Sequence, residues 1–284
     1  MDQNFAATGT GAGTTQDAVH AAINYTVDNG IPPDYYFYDP EPGTKLNPPG
    51  TDTRDVVIRN GWPTVDALDL DREGFVLKPF ASGFTAFDDD EAVKQHFYAD
   101  VVAFMQANTG AKRVVIFDHT IRKRLPADLS AQTTVSRPAV LLVHSDYTVA
   151  SGPQRVRDIV PDDAEDLLTR RVAFFNVWKS LRDPVEELPL AICDATSQNE
   201  GDMLRMELKY RERTGEIYVM RHAASHRWTY FPGMTAADAL LFKTYESETD
   251  GRARFVGHTA FEDPNMKPDA RRRESIEIRT MAFF

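Results

Sequence analysis

Apolar and polar residues alternate along much of the chain after residue 113, and this period-two pattern is typical of β-strands. The number and spacing of these segments, with few helices between them, predict an antiparallel sandwich or barrel with helices at one side. Together with two short pieces nearer the N-terminus, the predicted strands cover residues 55–59, 74–77, 113–117, 139–144, 173–178, 190–193, 205–210, 217–221, 239–242 and 275–284.

Two segments predict helices instead. Acidic residues at Asp88–Asp90 offer N-caps for a segment that Gly110 ends, and its apolar residues recur at helical spacing. A second, shorter helix is predicted from about Asp162 to Arg171, because a proline and acidic residues open it.

The N-terminal residues 1–22 are rich in Gly, Thr and Ala and lack helical or strand periodicity, so they predict a flexible tail. No change of composition divides the rest, and we expect residues 23–284 to form a single domain. With 284 residues, 42% of them hydrophobic and 26% charged, the chain has the composition of an ordinary globular protein.

The net charge of −11 would repel a phosphate backbone, so we expect no nucleic-acid partner. The single cysteine, Cys193, cannot form an internal disulfide, and no apolar run is long enough to span a membrane. The sequence therefore predicts a cytoplasmic protein without a membrane partner, and a homodimer is left open.

The apolar run at residues 139–143 ends at His144, Ser145 and Asp146. Residues two apart on a strand project to one face, so the imidazole of His144 and the carboxylate of Asp146 can bind one ion together. They supply two corners of a facial triad for Fe(II), which needs one further histidine. Alone, such a triplet is more often a hydrogen-bonded surface or core pair.

His258, on a predicted returning strand, is the candidate for the third ligand. His222 and His226 have a helical chelate spacing, but their segment reads as turn or strand, and we rank them behind His258. We expect a structural or substrate-lining role for His119, and solvent-exposed positions for His20 and His96.

After His258, the residues Arg273 and Ser275 share one face of the last predicted strand. A guanidinium binds a carboxylate through two parallel hydrogen bonds, so this pair is suited to anchoring a dicarboxylate cosubstrate. For the arginines nearer the His-x-Asp motif, Arg122, Arg155 and Arg157, ion pairs with carboxylates are favoured over substrate binding.

The order His-x-Asp, distal His, Arg-x-Ser resembles the non-haem Fe(II)/2-oxoglutarate-dependent oxygenases, which fold as a double-stranded β-helix (jelly roll, cupin-like). The resemblance narrows to the hydroxylase/desaturase group related to the cephem methoxylase subunit and to fungal meroterpenoid oxygenases. It covers roughly residues 30–284 and is carried by residues 117–122, 144–148, 176–181, 258–261 and 273–279.

The resemblance implies that His144, Asp146 and His258 bind Fe(II), with 2-oxoglutarate and O2 as cosubstrates. It makes Arg273 with Ser275 the clamp on the far carboxylate of 2-oxoglutarate. The interval between His258 and Arg273 is longer than is usual in the wider superfamily, so Arg279 on the same strand face is a rival anchor. Asn176 offers an amide to the cosubstrate, and Trp178 is expected in the core.

The activity implied is hydroxylation or desaturation of a small organic substrate of secondary metabolism, coupled to decarboxylation of 2-oxoglutarate to succinate. Two alternatives stay open. One is a cupin-like metal enzyme without 2-oxoglutarate, such as an isomerase or another dioxygenase, against which the Arg273–Ser275 pair argues. The other is a non-catalytic β-barrel binding module.

Overall fold

The computed structural model describes residues 17–123 and 138–284, which form two β-sheets flanked by helices. The predicted fold class, mainly β with flanking helices in a jelly roll, is confirmed. In chain order the strands are β1 (Ala18–Thr26), β2 (Asp34–Tyr36), β3 (Thr51–Asn60), β4 (Phe75–Pro79), β5 (Arg113–Lys123), β6 (His144–Ser145), β7 (Val172–Ser180), β8 (Leu190–Cys193), β9 (Met203–Lys209), β10 (Thr214–Met220), β11 (Trp228–Tyr230), β12 (Asp238–Glu246), β13 (His258–Ala260) and β14 (Glu274–Phe283).

Nine strands form a curled sheet in the order β1-β3-β11-β8-β13-β6-β10-β9-β2, and five form a second sheet in the order β4-β12-β7-β14-β5. The pairs β3/β11 and β2/β9 are parallel, while the other strand pairs of the described residues are antiparallel. The short strands β6 and β13 are neighbours in the curled sheet, although far apart in sequence.

Alternating residues give the five-stranded sheet two different faces. On β14, Ile276 and Ile278 belong to an apolar cluster with the helices, whereas Ser275, Glu277 and Arg279 lie on the opposite side. Side chains from both sheets form the core between them: Phe75, Leu77, Trp178, Leu240 and Phe242 from one sheet, and Leu190 and Ile192 from the other. The polar residues of β14 therefore face the nine-stranded sheet.

The first predicted helix is confirmed and covers the outer face of the five-stranded sheet. It comprises α1 (Asp90–Ala92), a π-helical turn (Val93–Phe97) and α2 (Tyr98–Thr109). The Asp89 side chain accepts a hydrogen bond from the Ala92 N–H at the start, and Gly110 ends the helix in the left-handed conformation at φ 73°.

The second predicted helix, Asp162–Arg171, is wrong in extent, because only α4 (Ala164–Leu167) forms and β7 begins soon afterwards. A helix that was not predicted, α3 (Ser151–Ile159), precedes it. Its Gly152-Pro153 start reads as a turn in sequence, but proline is tolerated in a first helical turn because its missing N–H needs no partner there.

The predicted strand at 139–144 is also wrong, since only His144 and Ser145 form a strand. The N–H of Val143 donates to the Asn24 carbonyl at 2.9 Å, so this apolar run is fixed by isolated contacts rather than by a ladder. The predicted tail extends too far, because β1 begins at Ala18 and its alternate residues are buried. Residues 1–16 lie outside the described part of the chain.

We expect the Gly152→Ala substitution to lower the free energy of unfolding by about 1–3 kcal/mol, because the added methyl group has no room in a contact that is already closely packed. An added Cβ would lie 2.5 Å from the Tyr245 ring. Urea unfolding followed by circular dichroism measures the change. The matched control is Gly83→Ala, where an added Cβ meets nothing within 4 Å and the effect should stay below about 1 kcal/mol. Equal stabilities of the two variants would contradict this packing.

Candidate metal centre

The two strands β6 and β13 bring the predicted ligands together. His258 pairs directly with His144, and their ring centroids are 4.3 Å apart. Asp146 follows β6, and one ligand atom from each of His144, Asp146 and His258 lies within 4.8 Å of the others. Among the described residues, this is the one cluster of three or more His, Cys, Asp or Glu with such spacing.

Hydrogen bonds to backbone carbonyls orient both imidazoles. The Nδ1 of His144 lies 2.8 Å from the Leu142 carbonyl, and the Nδ1 of His258 lies 3.1 Å from the Val256 carbonyl. A carbonyl only accepts, so each Nδ1 carries a proton, and Nε2 is the ring nitrogen left for a metal ion. No other described residue offers a hydrogen bond to the buried Nε2 of His258, as expected for an atom that binds a metal ion.

The two carboxylate oxygens of Asp146 have different surroundings. Its Oδ2 accepts hydrogen bonds from Nδ2 of Asn176 at 2.7 Å and from Nε of Arg279 at 3.2 Å. Its Oδ1 lies 3.6 Å from Nε2 of His144. One carboxylate oxygen and two imidazole nitrogens therefore converge, and this donor set fits a divalent transition metal.

Burial and neighbouring charges set the protonation of these groups. Burial lowers the pKa of His144 to about 4, and the nearby His258 acts in the same direction. Burial is the largest single effect and would raise the pKa of Asp146, but the Arg279 guanidinium, the two histidines and the Asn176 hydrogen bond together outweigh it and hold that pKa well below its usual range. The centre therefore presents a neutral imidazole at His144 and an ionised carboxylate, which are the forms that bind a metal ion.

The predicted anchor residues Arg273 and Ser275 are buried and in contact. Arg273 donates from Nε to Oγ of Ser275 at 3.0 Å and from Nη1 to the Leu188 carbonyl at 2.7 Å. Its guanidinium lies 5.1 Å from the centre of the Trp178 ring. Burial lowers the pKa of Arg273 to about 9, with Arg122 acting in the same direction, so the group remains a cation at neutral pH.

Arg279, the rival anchor, is surrounded by carboxylates. Besides Asp146, its guanidinium donates to Asp118 at 3.0 Å and to Glu277. It also donates to Oγ1 of Thr120 at 3.0 Å. These neighbours raise the pKa of Arg279 above its usual range, against the effect of burial. Arg273, by contrast, makes its guanidinium hydrogen bonds with two uncharged oxygens.

Asn176 and Trp178 share a strand face, as predicted, but have different surroundings. The amide of Asn176 donates to Asp146, and its expected contact with the cosubstrate stays a prediction. Trp178 lies in the core between the sheets, as expected, and its indole N–H is buried with no hydrogen-bond partner among the described residues. Sequence analysis missed Glu277, although its alternation with Ser275 and Arg279 on β14 is a signal that could have revealed it.

The other histidines lie outside this cluster. His226 contacts Oδ2 of Asp202 at 3.3 Å and the Tyr25 hydroxyl at 3.2 Å, within a buried polar network. His119 contacts the Tyr98 hydroxyl at 2.8 Å. His20 and His96 are exposed, as expected. Burial raises the pKa of the Cys193 thiol to about 12, so this thiol is unreactive.

The arginines near the His-x-Asp motif differ from one another. Arg157 forms an ion pair with Glu165 at 2.7 Å, and Arg122 lies 3.9 Å from Glu277, as the ion-pair interpretation predicts. Arg155 instead lies over the ring of Phe117, 5.1 Å from its centre.

Comparison with known proteins identifies the family. A family model described as "Oxidoreductase/YMDC permease-like domain" matches residues 23–283. The hydroxylase/desaturase efuI of Hormonema carpetanum is 30% identical over 82% of this chain and 84% of its own length. The Fe(II)/2-oxoglutarate-dependent dioxygenase nvfI of Aspergillus novofumigatus is 30% identical over 88% of this chain and 90% of its own. The chain belongs to this family of Fe(II)/2-oxoglutarate-dependent hydroxylases and desaturases.

The fold of this oxygenase agrees with that membership. The solved structure of the iron and alpha-ketoglutarate-dependent endoperoxidase NvfI superimposes with a TM-score of 0.85 at 25% identity, and the match covers 94% of this chain and 98% of the other. In the described parts of the oxygenase, no helix is both long and apolar enough to cross a membrane.

We expect the His258→Ala variant to bind Mn(II) at least about tenfold more weakly than the wild type, because it loses one of three convergent ligand atoms. Titration of Mn(II) into the purified protein, followed by electron paramagnetic resonance, measures the affinity. His226→Ala is the control, because His226 binds Asp202 and Tyr25 instead. Loss of Mn(II) binding in His226→Ala, with normal binding in His258→Ala, would refute the predicted ligand set.

Proposed function

We propose that Nε2 of His144, Oδ1 of Asp146 and Nε2 of His258 bind Fe(II), and that Arg273 with Ser275 binds the far carboxylate of 2-oxoglutarate. The observation that carries the metal assignment is the convergence, within 4.8 Å, of one ligand atom from each of the three residues, with the buried Nε2 of His258 unpartnered among the described residues. Two imidazoles and one carboxylate on one side leave the opposite positions for cosubstrates.

The cosubstrate assignment rests on the difference between the buried Arg273 and the half-buried Arg279. Arg279 already contacts the carboxylates of Asp146, Asp118 and Glu277. The guanidinium of Arg273 makes its hydrogen bonds with neutral oxygens, and a buried cation in that environment is stabilised by an arriving carboxylate. Because Ser275 fixes Nε of Arg273, the remaining edge of the planar fork is oriented in advance.

The protein supplies orientation and exclusion of water in the proposed reaction. When bound, Fe(II) would activate O2, the oxidant that couples decarboxylation of 2-oxoglutarate to succinate and CO2 with cleavage of a substrate C–H bond. Arg273 fixes the far end of the cosubstrate, and the backbone carbonyls of Leu142 and Val256 hold the two imidazoles in the metal-binding tautomer. Phe242, whose ring centre is 4.7 Å from that of His258, shields the centre on the side of the core.

We propose a small organic molecule as the substrate and hydroxylation or desaturation as the outcome. The names of the relatives support this assignment, since they include hydroxylase/desaturase efuI of Hormonema carpetanum and hydroxylase/desaturase CTB9 of Cercospora beticola. The reaction class is tested by succinate formation from 2-oxoglutarate with Fe(II), O2 and a panel of small hydrophobic metabolites. The anaerobic absorption band of the Fe(II)–2-oxoglutarate complex tests cosubstrate binding without turnover, and its absence in the wild type would reject the proposal.

We expect Arg273→Lys to weaken 2-oxoglutarate binding by about 1.5–3 kcal/mol, since lysine keeps the charge but loses the planar fork. Affinity is measured anaerobically from the same absorption band at saturating Fe(II). The control is Arg271→Lys, because Arg271 is exposed and pairs with Glu186 at 2.8 Å. Unchanged affinity in Arg273→Lys, with a large loss in Arg279→Lys, would move the anchor to Arg279.

A further inference from the structure

Two side chains of the five-stranded sheet converge on a single oxygen of Asp146. Asn176 on β7 and Arg279 on β14 are directly paired across the two strands. Their donors reach the same atom, Oδ2, at 2.7 Å from Nδ2 of Asn176 and 3.2 Å from Nε of Arg279. The other oxygen, Oδ1, lies on the side of His144.

Two donors occupy the lone pairs of Oδ2, so this oxygen is engaged before any ion arrives. A carboxylate with one oxygen held in this way offers only the other oxygen to a metal. The distinction matters in a facial triad, because a carboxylate that binds through both oxygens takes a position that the cosubstrate or O2 requires.

The Arg279 guanidinium is itself fixed from several directions. It donates to Asp118 at 3.0 Å, to Oγ1 of Thr120 at 3.0 Å and to Glu277, and all three acceptors lie on β5 or β14. The Arg122 guanidinium lies 3.9 Å from the Glu277 carboxylate and so also stabilises the negative charge of Glu277. Rotation of Arg279 away from Asp146 would break several charge-assisted hydrogen bonds at once, so its Nε stays directed at Oδ2.

We propose that Asn176 and Arg279 are positioning residues that hold Oδ2 of Asp146, so that Asp146 binds the metal through Oδ1 alone. This inference rests on the proposed function, because it needs Asp146 to be a metal ligand. It gives both residues a role other than cosubstrate binding, and it leaves Arg273 as the cosubstrate anchor.

The test compares Asn176→Leu, which keeps the approximate volume and removes the donor, with Arg279→Lys, which keeps the charge and removes the fork. Mn(II) alone is titrated into each variant and into the double variant, without 2-oxoglutarate. We expect each single variant to bind Mn(II) about 10- to 100-fold more weakly, the range found when partners of metal ligands are removed. The double variant should lose less than the product of the two single losses, because both donors act on one oxygen.

Thr280→Val is the matched control, because Thr280 is the buried neighbour of Arg279 on β14 and its hydroxyl donates to the Phe175 carbonyl instead. Its Mn(II) affinity should equal that of the wild type. The visible absorption of the Co(II)-loaded proteins provides a second readout. We expect a changed spectrum in Asn176→Leu, because Oδ2 becomes available to the metal.

Unchanged Mn(II) affinity in both single variants, losses that simply multiply in the double variant, or a Co(II) spectrum identical to the wild type would each overturn the inference. If circular dichroism shows that one single variant does not fold, the Mn(II) affinity and Co(II) spectrum of the other single variant still test the inference. Failure of the proposed function has a different signature, since the wild type would then bind Mn(II) but show no 2-oxoglutarate absorption band.

Discussion

The carboxylate of Asp146 is ionised inside the protein, and much of the surrounding structure compensates this one negative charge. A buried charge is strongly destabilising unless opposite charge and hydrogen bonds compensate it. Arg279 and Asn176 compensate it here, and both come from the sheet that faces β6 and β13, the strands of the two candidate histidine ligands. The hydrogen bonds that stabilise the Asp146 carboxylate therefore also join the two sheets at the site.

The same constraint extends outward through a chain of charges. Arg279 is a half-buried cation, and Asp118 and Glu277 balance it. Glu277 is in turn a buried carboxylate, and both Arg279 and Arg122 lower its pKa against the effect of burial. Such a network is stable only when all members are present, because removing one leaves its partner uncompensated. This explains why polar residues occupy the inner face of β14, while the outer face packs against a helix.

Sequence analysis could predict those parts of the site that depend on local spacing. The two-residue alternation of strands places His144 with Asp146 and Arg273 with Ser275, and the structure brings each pair together. The helix at Tyr98–Thr109 was predictable because its apolar spacing and its caps are both local. The strand at 139–144 was not, since a strand needs a partner: Val140 and Leu141 are each 38% exposed, and this run gains little pairing.

The role of Asn176 was not predictable for a related reason. An amide on a strand can form a hydrogen bond with any neighbouring polar group. Its actual partner depends on which residues of the opposite sheet lie within reach. Only the packing of the two sheets shows that Asp146 is within 2.7 Å of its nitrogen. The different partners of Arg273 and Arg279 were likewise not predictable, because spacing alone gives both of them the same orientation.

The proposed assignment gives Arg273, just before β14, and Arg279, on β14, two functions that one arginine could not combine. A cation that neutralises a metal-binding carboxylate must remain paired with it, whereas a cosubstrate anchor must have a binding edge that an incoming carboxylate can occupy. Arg279 meets the first requirement through its contacts with Asp146, Asp118 and Glu277. Arg273 meets the second, because Ser275 and the Leu188 carbonyl orient its guanidinium without neutralising it. Glu277 lies between them in sequence and pairs with Arg279, so in the proposed assignment the balanced charge of Arg279 competes less with Arg273 for the cosubstrate.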